Sequence, residues 1–158
     1  LTDFEDLEVG HEADIGSHTF TAEEIIAFAR RWDPQPFHID PEAAARSLLG
    51  GLCASGWHTA CVWMRLNVEY GKRLAAEALA AGRQPPRFGP SPGISNLKWP
   101  RPVYVGDTIS YRWRISGKRP LATRPQWGLV EHEALGVNQN GQPVLSFEGK
   151  FFMGRRRS

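Results

Sequence analysis

Cysteine and methionine are scarce in this chain, two of each among 158 residues. The two thiols, Cys53 and Cys61, have neither C-x-x-C nor histidine-paired spacing, which excludes a disulfide framework and a structural zinc site. Both lie in apolar surroundings and are expected to be buried and reduced, so a cytoplasmic location is expected. No run comes close to the roughly 18–20 uncharged apolar residues of a membrane-spanning helix. The opening LTDFEDLEVGHEAD is acidic without an apolar block, and no secretory signal is expected there. An excess of one charge is also missing. The 19 basic and 17 acidic side chains leave +2, too little to attract nucleic acid. The one basic cluster, Arg155–Arg157, is expected to be a solvated tail. Internal repeats and low-complexity segments are absent.

What is present is an ordinary globular composition, 41% hydrophobic and 23% charged, in a length suited to one domain. A single domain is expected over residues 1–158, with its core at about 4–152 and a basic tail at 153–158. Thr21-Ala22-Glu23-Glu24 reads as a capping box, followed by an apolar stripe at Ile25, Phe28, Ala29 and Trp32. Pro34 stops that helix, because the residue before proline is pushed out of the helical region. Asp40-Pro41 restarts a short one that ends at Gly50-Gly51. The longest apolar segment follows, with Trp57, Cys61, Met64 and Val68 at helical intervals and Ala60, Val62 and Trp63 filling most of the remaining circumference. Such a helix needs wrapping.

After the proline-rich loop GRQPPRFGPSPG the period changes from about 3.6 to 2. TISYRWRISG alternates apolar residues with Arg112 and Arg114, and WGLVEHEALGV and VLSFEGKFFM are two more strands, joined at Asn140-Gly141 by an expected type I′ turn. Gly106-Asp107 reads as another turn. Strands, helices and then an antiparallel meander make an α+β chain, with the sheet curled around the long apolar helix.

One loop carries chemistry. In RRWDPQPFHIDPEAA, Asp33 and His38 stand five residues apart on a stretch stiffened by Pro34 and Pro36. Alone, such a pair is more often a structural hydrogen bond than an acid–base couple. The prolines, however, hold the two side chains in a fixed relation at little entropic cost. Downstream, Ser55 is placed to cap the apolar helix and Gly56 opens its first turn. Free N–H groups at a helix start suit a carbonyl oxygen that gains negative charge. His58 is expected to be a core or surface histidine rather than a third catalytic group, Asp40 an N-cap, and Arg112, Arg114 and Arg119 solvent-facing.

The sequence resembles the MaoC-like (R)-specific enoyl-CoA hydratases and acyl dehydratases of the hot dog fold. Asp33, Gln35, Pro36, Phe37, His38, Asp40 and Ala44 fall on the family's Asp-x-Asn-Pro-apolar-His-x-Asp pattern, with Gln35 in place of Asn. A glycine-containing helix start 18 residues past the histidine and the stretch WPRPVYVGDTISYRWRI extend the likeness from about Phe4 to Phe152.

The resemblance implies reversible addition of water to the trans-2 double bond of an acyl thioester. Asp33 would act as base, and His38 would orient the water and deliver a proton to the α-carbon. Gly56 N–H would hold the thioester oxygen. Substrate contacts are implied at Gln35, Trp32, Phe37, Ser55 and Trp57, with Trp32 narrowing the acyl channel where the family has a small residue. The implied partners are an acyl thioester of coenzyme A or a carrier protein and a second copy of the chain in a homodimer, or a dimer of dimers. Coenzyme A enters only as part of the substrate, and no other cofactor, metal, membrane or nucleic acid is expected. Two alternatives stay open: an accessory acyl-CoA-binding subunit, and a thioesterase. The second is disfavoured because Glu69, the one acid on the long helix near enough to consider, lies some four turns past its start.

Overall fold

A computed structural model describes residues 3–156. After a 3-10 turn, Phe4–Asp6, come strand β1 (Glu12–Thr19), helices α1 (Ala22–Trp32), α2 (Pro36–Ile39), α3 (Pro41–Ala45) and α4 (Gly56–Ala80), and strands β2 (Gly93–Lys98), β3 (Thr108–Pro120), β4 (Trp127–Val137) and β5 (Pro143–Gly154). The strands form one antiparallel sheet in the order β1-β3-β4-β5-β2. Register shifts in β1 at Asp14/Gly16, in β3 at Ile115/Gly117 and between β4 and β5 at Gly136/Val137 supply the bulges that let a sheet bend. The bent sheet wraps α4, the α+β arrangement expected from the periodicity.

Buried positions of the sheet alternate as the sequence does. Ile109, Tyr111, Trp113 and Ile115 point inward, while Arg112 and Arg114 point out. Tyr111 is fully buried and its hydroxyl donates to the Thr59 carbonyl on α4 at 3.2 Å. Trp63 is 2% exposed. It stacks on His132 of β4 and meets Phe147 of β5 edge-on. These contacts seat the helix on the sheet.

Several expectations are corrected. The stripe Trp57, Cys61, Met64, Val68 is exposed, and α4 buries His58, Thr59, Val62, Trp63 and Leu66 instead. Periodicity finds stripes on an apolar helix but does not tell which one meets the sheet. Cys61 is accordingly exposed and Cys53 alone is buried. Trp32 leaves the α1 stripe and is 65% exposed.

The segment holding His38 is a one-turn helix, α2, rather than plain loop, and α3 ends at Ala45. β2 had no sequence signal because nearly all its residues are exposed and do not alternate. The β4–β5 connection is not type I′: Gly141 has φ +73° but Asn140 does not have positive φ. Gly141 N–H closes on Asn138 O, making a turn over Gln139 and Asn140 with glycine in the left-handed position.

The basic tail is also revised. Met153 and Gly154 belong to β5, Arg155 pairs with Glu5, and Arg156 pairs with Asp3 and Asp6. Arg157 and Ser158 lie outside the described residues.

Candidate active site

Asp33 is the C-cap of α1. Its backbone leaves the helical region ahead of Pro34 (φ −152°, ψ 67°), and Gln35 N–H returns to Asp33 O to close a three-residue turn over the proline. Pro36 then starts α2, which carries His38 as a buried ring. The two proline-set turns aim both side chains at the start of α4. Thr21 and Asp40 cap α1 and α3 as expected, accepting from Glu24 N–H and from Glu42 and Ala43 N–H.

The Asp33 carboxylate is held at both oxygens. Gln35 Nε2 donates to Oδ1 at 2.8 Å and Ser55 Oγ donates to Oδ2 at 2.7 Å. His38 Nε2 lies 3.5 Å from the same Oδ2. The other ring nitrogen, Nδ1, is 2.7 Å from the Cys53 carbonyl, an acceptor only, so Nδ1 carries a proton. Phe37 packs its ring edge-to-face on His38. Cys53 itself is pinned by a short bridge to Tyr104 and by Ala54 N–H donating to Val103 O. The Pro-Val…Gly-Asp segment thus anchors the carbonyl that orients the histidine. Burial pushes the Cys53 thiol up to about 11, leaving it protonated and inert.

Ser55 joins this cluster to the helix start. While donating to Asp33 it accepts from Trp57 N–H at 3.3 Å, as the N-cap of α4. Gly56 N–H has no acceptor among the described residues, and is the free donor of that first turn. An ionisable pair and an unpaired helix-start donor therefore stand side by side through one serine.

Burial alone would raise the Asp33 carboxyl. The Ser55 hydroxyl, the Gln35 amide and the neighbouring His38 outweigh it and hold the group below its ordinary 3.8. Asp33 is therefore ionised at neutral pH. Because its folded value is the lower one, the linkage favours the fold above about pH 3.8 and is lost as pH falls through the folded value. Ser55→Ala removes the 2.7 Å bond that the hydroxyl donates to the carboxylate. We expect it to move the acid limb of the pH–rate profile upward and to cost about 0.5–2 kcal/mol as a lost N-cap. A pH–rate profile and a thermal melt check the two effects separately.

Of the residues expected to contact substrate, Gln35, Ser55 and Phe37 act on the dyad itself. Trp57 lies at the helix start, 54% exposed. Trp32 is not brought to the site; its ring is in solvent under the Arg31 guanidinium. His58 is packed face to face on Phe28, and burial pushes it down to about 4, which puts it in the core, one of the two places expected for it. The Cys53 carbonyl and Trp99, which covers Gly56, were missed, the first because a backbone carbonyl leaves no side-chain signal. Among the described residues, no three His, Cys, Asp or Glu side chains are grouped to hold a metal.

A cavity of about 520 Å³ lies elsewhere. It is an apolar groove between α4 and the sheet, lined by Trp63, Met64, Val68, Trp113, Phe147 and Phe151, with Asp33, His38 and Gly56 outside its walls. Trp63 is two turns, roughly 10 Å, along α4 from Gly56. The hydrogen-bonded cluster and the groove are therefore separate features of the surface around α4.

Residues 8–134 match the family described as MaoC like domain. The chain belongs to that family. The MaoC-like dehydratase from Rhodospirillum rubrum is 38% identical, with a TM-score of 0.84 over 99% of both chains. The uncharacterized protein YdeM of Bacillus subtilis (strain 168) is 25% identical over 146 residues, 92% of this chain and 93% of that protein. The (R)-hydratase from A. caviae involved in PHA biosynthesis, at 23% identity and TM-score 0.66, covers 93% of this chain and 97% of its own, and shares the fold. The MaoC-like chain is thus a hot dog domain, its sheet curled on α4 as the resemblance implied.

Proposed function

We propose that this MaoC-like chain is a hydro-lyase, reversibly hydrating trans-2-enoyl thioesters to (R)-3-hydroxyacyl thioesters. The observation that carries the reading is the Asp33–His38 pair at 3.5 Å, tied through Ser55 to the free N–H of Gly56. Family membership and the likeness to the R. rubrum MaoC-like dehydratase support it.

The thioester oxygen accepts from Gly56 N–H, which favours the enolate-like state over the ground-state carbonyl. Asp33 takes a proton from water as its oxygen bonds to the β-carbon. His38 gives a proton from Nε2 to the α-carbon. The proton now on Asp33 passes back across the 3.5 Å gap to Nε2 and restores the pair. One water is consumed, with its hydroxyl on the β-carbon and the proton balance closed. Dehydration is the reverse.

The carrier is coenzyme A or a carrier protein, and the apolar groove supports an acyl tail as the other half of the ligand. A homodimer belongs to the same proposal, as do a one-domain chain and a cytoplasmic location. Support for the dimer is the open outer edge of β2 beside the exposed Met64, Val68 and Ile94. Hydrolysis is disfavoured by Glu69, which is half-exposed and paired with Arg65. Among the described residues, no helix is long and apolar enough to cross a membrane.

The test follows enoyl absorbance and free thiol separately with short- and medium-chain trans-2-enoyl-CoA. Enoyl loss without thiol is expected. Thiol release would replace this reading with a thioesterase, and binding without either change would replace it with an accessory subunit.

A further inference from the structure

Four tryptophans are well placed for comparison in this chain. Trp63 and Trp113 are buried at 2% and 7% exposure, whereas Trp57 and Trp99 remain 54% and 40% exposed beside the catalytic cluster. The latter two meet edge-to-face, ring centres 5.2 Å apart and planes at 73°. Trp99 also lies directly on Gly56. A methyl group built there would overlap Cδ2 and Cε2 of the indole and come within 2.8 Å of Cγ. Glycine is therefore required at the first residue of α4 by an aromatic ring pressed onto its α-carbon, next to an N–H that has no acceptor among the described residues.

The position of the ring is fixed from two sides. Trp99 follows β2 and precedes Pro100 and Pro102, which restrict the backbone. Beyond them Val103 O accepts from Ala54 N–H and Tyr104 bridges to Cys53, so the Trp99 segment is anchored to the chain just before α4. An exposed aromatic pair in this place has a use that packing does not explain.

We propose that Trp99 is a positioning residue for the acyl thioester, resting on the hydro-lyase reading above. Its indole walls one side of the oxyanion space at Gly56, and with Trp57 it forms an aromatic corner for the flat, conjugated enoyl thioester. Keeping water from the helix start strengthens the N–H interaction with the charged oxygen. The corner prefers the planar enoyl group to a saturated acyl chain, because a flat π-system stacks on indole and a bent methylene chain does not.

The experiment compares the parent, Trp99→Ala and Trp99→Phe for kcat and KM on crotonyl-CoA, for binding of crotonyl-CoA and butyryl-CoA by calorimetry, and for melting and sedimentation. Trp99→Ala is expected to lose about tenfold in crotonyl-CoA binding, the size of one aromatic contact, with butyryl-CoA changed less than threefold. Trp99→Phe should recover most of the loss. Equal weakening for both thioesters, no weakening, or a loss that tracks unfolding or dissociation of the assembly would overturn the proposal. If the parent binds crotonyl-CoA without hydrating it, the hydro-lyase reading fails, while the preference for the unsaturated thioester still decides the role of Trp99.

Discussion

Asp33→Asn is expected to lower kcat for enoyl-thioester hydration by about 10²–10⁴-fold, the contribution of one positioned proton acceptor. The substitution keeps shape and volume. The new amide keeps its oxygen for the Gln35 Nε2 donor and turns its NH2 to Ser55, whose hydroxyl oxygen can accept, so the loop keeps its bonds. What is lost is the charge that draws a proton from water. His38→Ala should have a similar effect by removing the proton donor, leaving the Cys53 carbonyl without its partner. Enoyl absorbance measures the rate, and an unchanged melting profile shows that chemistry rather than folding was removed. Turnover within tenfold of the parent in Asp33→Asn would sink the assignment of the base.

The largest loss of stability is expected from Trp63→Ala, about 3–5 kcal/mol. Trp63 is the deepest large side chain of α4. It lies parallel to His132 with ring centres 5.6 Å apart and meets Phe147 at 4.8 Å. Removing the indole leaves a void beside the groove and frees the helix from β4 and β5 together. Burial pushes His132 down to about 4, so its ring is neutral and part of the apolar wall. Denaturant unfolding checks the magnitude; a shift under 1 kcal/mol would show that the groove collapses onto the space.

Legibility in the sequence followed the range of the interactions. Caps and stops set by neighbours, such as Thr21, Pro34, Asp40 and Ser55, were readable, and so were the alternating strands. That Asp33 and His38 lie together near the start of α4 was readable through their pattern. The exposed face of α4 has no sequence signal, because apolar residues nearly encircle the helix and the sheet, built from distant sequence, chooses the buried side. Trp32 was assigned to the acyl channel from its bulk, yet it lies on the solvent side of the last turn of α1. The bonds that shape the dyad join residues 15 and 22 positions apart, His38 to Cys53 and Asp33 to Ser55. No local period encodes such pairings. Trp99 is harder still, since its partner is a glycine with no side chain to signal the contact.

The pairing of Arg155 and Arg156 with Asp3, Glu5 and Asp6 gives this domain an uneven response to electrolyte. These groups are solvent-accessible, with Arg156 63% exposed, so dissolved ions compete with them directly. At 0.1 M ionic strength the screening length is about 10 Å, and it shortens further as salt is added. Concentrated salt should therefore fray the first 3-10 turn away from the end of β5. The Asp33 clasp, built from short bonds to neutral donors, should hold its register.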